Sequence, residues 1–194
     1  MKLLRALLLL TILLFSFHWN QADAFVKLVI FATKVELKNN NKTFDVSYAF
    51  QNPTSLSNQT LNFEFVPKHK INNLKLKITY NVIALNGNIQ NELVKRTLDI
   101  CFFLQNPRSD RLIKSFFDYI KQTSHLPSRC PIPVDNYNMR NLRLATVPLP
   151  AFLPESEFML ETAYFSGVKQ EITLSFRLYG KLVRVVKNIL PTLQ

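Results

Sequence analysis

Glycine is scarce in this sequence of 194 residues, which contains only three glycines, Gly87, Gly167 and Gly180. Three scattered glycines argue against the glycine-rich loops that cradle phosphates and against flexible linkers between domains. The sequence also lacks a Gly-x-Ser-x-Gly elbow, a Walker loop and a His-Glu-x-x-His pair. These absences exclude the commonest nucleotide-binding and hydrolytic motifs.

Histidine and cysteine are almost as rare, with three and two residues respectively. Neither His69, between two lysines, nor His125 has the sequence neighbours that identify a catalytic base. No Cys/His spacing resembles a zinc site, and Glu155, Glu157 and Glu161 fall on alternating positions typical of a solvent-facing strand. The sequence therefore predicts a protein that is not an enzyme, with no catalytic residues, no metal and no cofactor.

The longest hydrophobic run lies near the N-terminus, where Lys2 and Arg5 precede the aliphatic stretch 6–17 and Ala22-Asp23-Ala24 follows it. This order of basic, apolar and small residues is typical of a secretory signal peptide. A transmembrane anchor is the alternative, but the run is shorter than the ~20 residues that span a bilayer. We expect residues 1–24 to be removed and residues 25–194 to form one secreted, extracellular domain without a transmembrane segment.

Secretion changes the interpretation of the cysteines and of the Asn-rich segments. In an oxidising compartment Cys101 and Cys130 most simply form one disulfide, with two free thiols as the alternative. Asn41 and Asn58 each begin an Asn-x-Thr sequon in a segment rich in turn-forming residues. Both are therefore predicted glycosylation sites.

Apolar and polar residues alternate along much of the chain, as in strands with one buried face. The alternating segments are Phe44–Phe50, Leu61–Phe65, Leu74–Val82, Phe158–Tyr164 and Ile172–Leu178, with a further strand expected through Leu98, Ile100, Phe102 and Leu104 after a turn at Asn86-Gly87. Strands of this kind belong to antiparallel sheets packed face to face. The predicted fold is therefore mainly β, an antiparallel two-sheet sandwich.

The segment from Ser109 to Thr123 has the spacing of an amphipathic helix instead. Ser109 or Asp110 can cap its N-terminus. Its apolar stripe consists of Leu112, Ile113, Phe116, Phe117 and Ile120. We therefore expect one helix inserted between Cys101 and Cys130.

Many aromatic residues fall on the inner faces of the predicted strands. A close-packed sandwich core is one interpretation, because aromatic side chains bury large areas. The alternative is a sandwich whose sheets separate enough to leave an apolar cavity, with the predicted helix covering its mouth. The candidate lining residues for a ligand are Tyr48, Phe63, Tyr80, Phe102, Phe158 and Phe176.

The formal net charge of the chain is +11 at pH 7. A basic chain can bind nucleic acid, but predicted secretion and the lack of a nucleic-acid motif argue against that partner. The most prominent basic residues are Lys68, Lys70, Lys75 and Lys77, and then Arg177, Lys181, Arg184 and Lys187. They are interpreted as a solubilising face or as a surface that attracts an anionic lipid headgroup, a sulphated glycan or an acidic receptor.

Several short motifs in the second half of the chain occur together in a known family. They are Leu98-Asp99-Ile100-Cys101-Phe102-Phe103-Leu104, Asn106-Pro107, Phe116-Phe117, Cys130-Pro131, Leu153-Pro154-Glu155, Glu161-Thr162, Tyr164-Phe165 and Arg177-Leu178-Tyr179-Gly180. On these residues the chain resembles a large insect family of small secreted proteins built on a domain of unknown function, close to the chemosensory-B proteins. Family members usually carry a second cysteine pair in an N-terminal hairpin, near Val35 and Phe50, where this chain has none. We expect that hairpin to be held by strand pairing and packing alone.

The resemblance implies a remote relation to the ML lipid-recognition superfamily, which includes the ganglioside-activator proteins. Those proteins are antiparallel, immunoglobulin-like sandwiches that bind lipids between their sheets. The expected function is thus a secreted carrier or presenter of a hydrophobic small molecule or lipid, in a chemosensory setting. The alternative is an extracellular interaction protein with a filled core, which binds a receptor or an anionic glycan through its basic face.

Overall fold

β-Strands account for most of the described residues in the structure, a computed structural model that covers residues 26–84, 87–167 and 171–186. Within these ranges the strands are β1 (Val26–Asn39), β2 (Phe44–Gln51), β3 (Thr60–Pro67), β4 (Leu74–Ile83), β5 (Ile89–Asp99), β6 (Ser124–His125), β7 (Tyr137–Arg143), β8 (Ser156–Ser166) and β9 (Glu171–Val186). The predicted signal peptide, residues 1–24, lies outside the described residues. So does Asn86, the first residue of the predicted Asn-Gly turn.

The strands form two sheets. The first has the order β1-β9-β8-β4-β5 and the second the order β2-β3-β7-β6. Six strand pairs with a described register are all antiparallel. The predicted antiparallel two-sheet fold is therefore confirmed.

Residues 28–184 form one compact unit. A second unit comprises residues 1–27 and 185–194, of which the structure describes only the strand ends Val26–Lys27 and Val185–Val186. The prediction of one domain over residues 25–194 stays a prediction.

The five-stranded sheet has one apolar and one charged face, as the alternation of its strands requires. On the inner face of this sheet, neighbouring positions of β4 and β8 are Leu76 and Tyr164, Ile78 and Thr162, and Tyr80 and Leu160. On the outer face, Glu161 forms an ion pair with Arg177 at 2.8 Å and Glu157 forms one with Lys181 at 2.8 Å. Charged side chains, whose burial would be unfavourable, are therefore paired with opposite charges on the outer face of the sheet.

The inner face of the four-stranded sheet is rich in aromatic residues. Phe65 of β3 stacks on Tyr137 of β7, with ring centroids 5.3 Å apart, and meets Phe44 of β2 edge to face at 6.0 Å. Phe44 and Tyr137 are both buried. These rings close one end of the space between the sheets.

β1 and β2 follow each other in sequence but belong to different sheets, so the expected N-terminal hairpin is wrong. β1 pairs with β9 instead. The fully buried Gln59 side chain accepts a hydrogen bond from the Ala32 N–H at 2.8 Å and donates one to the Ala32 carbonyl oxygen at 2.8 Å. This amide therefore satisfies backbone groups that a neighbouring strand would otherwise bond.

One α-helix, α2 (Arg111–Lys121), lies wholly between the cysteines, as predicted. A short helix, α1 (Ile100–Gln105), contains Cys101, and a 3-10 turn at Pro107–Ser109 connects the two. The predicted disulfide between Cys101 and Cys130 is present. α2 confirms the predicted helix, and the Asp110 carboxylate caps it by accepting a hydrogen bond from the Ile113 N–H at 3.1 Å.

α1 replaces the last part of a predicted strand, so the expected strand through Ile100, Phe102 and Leu104 is wrong. β5 ends at Asp99, whose carboxylate accepts a hydrogen bond from the Phe102 N–H at 2.9 Å and so begins a helix. Because successive helical residues are rotated by about 100°, Phe103 rather than Phe102 faces the core. Phe103 is 2% exposed and meets Phe117 of α2 edge to face at 5.5 Å.

No helix among the residues described here has both the length and the apolar character that a membrane crossing requires.

Candidate ligand site between the sheets

A row of half-buried side chains crosses the middle of the sandwich, where the most deeply buried residues would be expected. In the five-stranded sheet, Ile78, Thr162 and Phe176 are neighbours in register across β4, β8 and β9. In the four-stranded sheet, the corresponding neighbours across β2, β3 and β7 are Tyr48, Phe63 and Met139. We call these six residues the central row. The rings of Phe63 and Phe176 meet across the two sheets, with centroids 6.1 Å apart.

The accessibility of the central row does not come from the edges of the sheets. Apart from Tyr48, its residues lie on inner strands that have a neighbour on both sides. Inner-facing positions on both sides of the row are buried on three of these strands, and on one side on a fourth; they are Leu76 and Tyr80, Leu174 and Leu178, Tyr137 and Leu142, and Leu61. On β8 the flanking positions, Leu160 and Tyr164, are themselves only partly buried. In a fully interdigitated sandwich the middle positions are closed off. The pattern therefore indicates loose packing along one line that runs across the strands.

Three of the six predicted lining residues belong to this row, namely Tyr48, Phe63 and Phe176. Tyr48 is 40% exposed because β2 is an edge strand, and its hydroxyl reaches the Val35 carbonyl oxygen of β1 at 3.4 Å. Tyr80 and Phe158 lie beside the row, buried and stacked at 5.4 Å. Their role as ligand contacts stays a prediction.

Phe102 does not face the space between the sheets. It lies on the outer side of α1 and is 55% exposed. The expectation that it lines the interior followed from the predicted strand, which the helix replaces.

Tyr164 is an interior residue that the strand alternation places on the inner face but that was not among the predicted lining residues. Burial raises the pKa of its phenol to about 12. The residue as a whole is nevertheless only partly buried, and its hydroxyl makes no hydrogen bond with any described residue.

The alkaline stability of the protein tests the placement of Tyr164. The folded-state pKa of about 12 lies above the usual value of a tyrosine near 10. The proton is therefore held more tightly in the folded state, so this stabilisation is complete below about pH 10 and is lost as the pH rises towards 12. We expect the free energy of unfolding to fall more steeply above about pH 10 in the wild type than in Tyr164→Phe, by up to about 1.4 kcal/mol per pH unit. Urea unfolding across this range measures the difference, and identical slopes would contradict the placement.

α2 covers the edge of the sandwich between β5 and β6. Tyr119 and Ile120 pack against the group of buried residues that includes Leu142 and Leu178. Ile113 and Phe117 pack against a second buried group, which includes Phe103. The Tyr119 hydroxyl is 2.5 Å from the hydroxyl of Thr146, beyond the end of β7. None of the residues of α2 is fully buried. The helix is thus attached to both sheets through a shallow contact.

Two concavities open elsewhere on the described surface. One, of about 420 Å³, is lined by Thr33, Lys34, Ile83, Glu157, Phe158, Tyr179, Gly180 and Lys181. The other, of about 760 Å³, is lined by Val82, Ile83, Ala84, Gln90, Asn91, Leu93, Pro154, Glu155, Ser156 and Glu157. Phe158 is the one predicted lining residue that contributes to either, so neither concavity corresponds to the predicted cavity.

The outer surface is basic, but part of its charge is neutralised by neighbouring acids. Besides the pairs of Arg177 and Lys181, Lys68 lies 2.8 Å from the carboxylate of Asp45. Lys187 lies outside the described residues. This pairing weakens the basic face that the alternative function, binding of a receptor or anionic glycan, would use.

His125 forms an exposed pair with Asp135, at 3.0 Å, and its ring stacks on Tyr137. The hydrogen bond from His125 lowers the pKa of the Asp135 carboxyl. No group of three or more metal-binding side chains is found in the part of the chain that the structure describes. Asn41 and Asn58 are exposed, and their glycosylation stays a prediction.

The geometry defines an antiparallel two-sheet sandwich with a partly accessible row of inner-facing side chains and a helical cover at one edge. The sequence model of a family described as "Protein of unknown function (DUF1091)" matches residues 73–160, from the start of β4 into β8. This match confirms the resemblance to a domain of unknown function over that segment, whereas closeness to the insect chemosensory-B proteins stays a prediction. None of the curated proteins matches the chain.

Two solved structures are similar to this chain at low sequence identity. The crystal structure of chicken MD-1 complexed with lipid IVa has 8% identity and a TM-score of 0.37, covering 81% of this chain and 98% of that chain. The crystal structure of a Niemann-Pick type C2 protein from Japanese carpenter ant has 14% identity and a TM-score of 0.35, covering 79% and 98% respectively.

Proposed function

We propose that this chain is a secreted, non-enzymatic protein that carries a hydrophobic small molecule or lipid between its two sheets. The observation that supports the proposal is the partly accessible central row, five of whose six residues lie on strands with a neighbour on both sides. Apolar side chains left partly accessible in the interior gain free energy when an apolar ligand covers them. The signal-like N-terminus and the disulfide favour secretion, and the chemosensory setting follows from the family resemblance alone.

The magnitude of apolar burial suffices for binding of this kind. A chain that buries about 300 Å² of apolar surface gains roughly 7 kcal/mol at about 25 cal/mol per Å². That value approaches the free energy of a micromolar dissociation constant, roughly 8 kcal/mol. The central row, which spans both sheets, offers a path for such a chain across the strands.

The entrance that we propose lies under α2. The shallow attachment of α2 contrasts with that of α1, whose Phe103 is fully enclosed. Displacing α2 would therefore remove no fully buried side chain of its own from the interior, whereas displacing α1 would remove Phe103. A ligand would enter at the edge between β5 and β6, where the central row ends at Ser124, the neighbour of Met139 in register.

Filling the central row tests the proposal. We expect Ile78→Trp to occupy the loosely packed space, to keep the free energy of unfolding within about 1 kcal/mol of the wild type, and to lower affinity for N-phenyl-1-naphthylamine at least tenfold. Lys77→Trp, on the outer face of the same strand, is the matched control and should bind the probe as the wild type does. Fluorescence titration and urea unfolding measure the two quantities.

The opposite result would identify a filled core. In a close-packed interior the added indole destabilises by roughly 1–3 kcal/mol. A wild-type protein that binds no probe, together with an Ile78→Trp variant that loses this much stability, would contradict the carrier function.

A further inference from the structure

The inner face of β8 carries two hydroxyl groups that have no hydrogen-bond partner among the described residues. Thr162 belongs to the central row, and Tyr164 is the next inner-facing residue of the same strand, about 7 Å further along. Neither hydroxyl bonds to a described residue, and neither is among the buried polar atoms that are closed off from solvent. Both residues therefore present a hydroxyl on the same inner face of β8 that is not closed off by the described residues.

Two other interior hydroxyls, those of Tyr80 and Ser124, also lack a hydrogen-bond partner but are enclosed by protein atoms. Burial raises the pKa of Tyr80, and the adjacent Ser156 side chain offsets part of that effect. A ligand cannot reach either group without displacing the surrounding side chains. The tyrosine control is Tyr179, on the outer face of β9, whose hydroxyl donates a hydrogen bond to the Glu36 carboxylate at 3.3 Å.

The interior offers no charged partner for a ligand. None of the buried residues in the described part of the chain is charged. Arg96, which neighbours Ile78 in register, lies exposed on the edge strand β5. A carboxylate or phosphate placed beside Thr162 and Tyr164 would lose its hydration without gaining an opposite charge, which is strongly unfavourable. An uncharged oxygen would instead gain the hydrogen bonds that the two hydroxyls lack.

We propose that Thr162 and Tyr164 bind the uncharged polar group of a long-chain alcohol, ester or ketone, whose hydrocarbon chain lies along the central row. This assignment rests on the proposed carrier function and narrows its ligand class. Either hydroxyl can donate to an ester or ketone oxygen, and either can donate to or accept from an alcohol. Fatty-acid anions would bind less well because their charge has no partner beside these hydroxyls.

Competition between ligands of equal chain length tests the assignment. The mature, disulfide-bonded protein is loaded with N-phenyl-1-naphthylamine at neutral pH and titrated with dodecan-1-ol, dodecyl acetate, dodecane or dodecanoate. We expect the alcohol and the acetate to bind about tenfold more tightly than dodecane and dodecanoate, the ratio that one additional hydrogen bond supplies. Thr162→Val/Tyr164→Phe should abolish this preference and leave dodecane unaffected, whereas Tyr179→Phe, on the outer face of β9, should change none of the four affinities.

The possible outcomes separate this assignment from the carrier function. Tightest binding of dodecanoate, or a preference for the alcohol that survives in the double variant, overturns the assignment. Equal binding of all four ligands overturns it too but leaves the carrier function standing. Failure of the probe and of all four ligands to bind overturns both. Thermal unfolding checks that each variant is folded. If the double variant does not fold, the single replacements Thr162→Val and Tyr164→Phe are measured instead.

Discussion

Gly180→Ala is expected to destabilise the protein by at least about 3 kcal/mol, the upper range of overpacking in a core. A Cβ atom at this position of β9 would collide with the carbonyl oxygen of Phe31, and would lie 3.0 Å from the Ala32 Cα and 3.1 Å from the Phe158 ring. A rotamer change cannot move the backbone of β1 out of the way. The added methyl group therefore forces the first strand away from its neighbour.

Gly87→Ala is the control for this prediction. Gly87 has a φ of 81° but no atom within 4 Å of the added Cβ, so only the strain of the left-handed conformation applies. That strain is worth roughly 1–2 kcal/mol. Urea unfolding of the two variants should therefore rank Gly180→Ala well below Gly87→Ala. Equal stabilities would show that β1 does not approach β9 as closely as the structure places it.

Removing the disulfide with Cys101→Ala/Cys130→Ala is expected to lower the free energy of unfolding by about 3–4 kcal/mol. The two cysteines are 29 residues apart, and closing a loop of this length restricts the unfolded chain. In the folded state, the loss of protection from hydrogen exchange should be confined to the disulfide loop, because α2 lies inside this loop and is only shallowly buried. Hydrogen exchange should show faster exchange in α2 and in the segment 126–131, while β2 and β3 keep their protection.

Reductant provides the internal control for the disulfide. Wild-type protein treated with reductant should acquire the exchange pattern of the double variant, and the variant itself should not respond. Ile132 is expected to remain protected longer than its neighbours, because it is buried and exchanges backbone hydrogen bonds with Ile71 at 2.8 and 3.0 Å. An equal loss of protection in β2, β3 and α2 would contradict a local role for the bond.

Most strands of the sandwich could be predicted because apolar and polar residues alternate along them with a period of two. The alternation through Leu74–Val82 and Phe158–Tyr164 reports directly which side chains share a face. The same reasoning failed at Phe102, where a local contact prevailed: the Asp99 carboxylate caps a helix, and the alternation of the preceding strand ends there. It also failed for the expected N-terminal hairpin, because the pairing partner of β1 lies more than 130 residues away in sequence, on β9.

The sequence predicted an apolar site between the sheets, but it did not predict which inner-facing residues are accessible there. Alternation assigns Phe63, Phe158 and Phe176 to inner faces, but it carries no information about how far apart the two faces lie. Phe158 is consequently closed off in a packed region, whereas Phe63 and Phe176 belong to the accessible row. Tyr164 was placed correctly by the pattern. Its importance depends on the accessibility of a hydroxyl deep in the sandwich, which requires the three-dimensional arrangement of both sheets.

The most direct test of ligand carriage between the sheets is a crystal structure of the mature protein grown with ω-bromododecanol. Anomalous scattering locates the bromine, and the electron density locates the chain. The proposed function predicts a hydrocarbon chain along the central row, beside the contacting rings of Phe63 and Phe176, with α2 above one end. A chain found only in one of the two outer concavities, or a sandwich interior without ligand at saturating concentration, would contradict it.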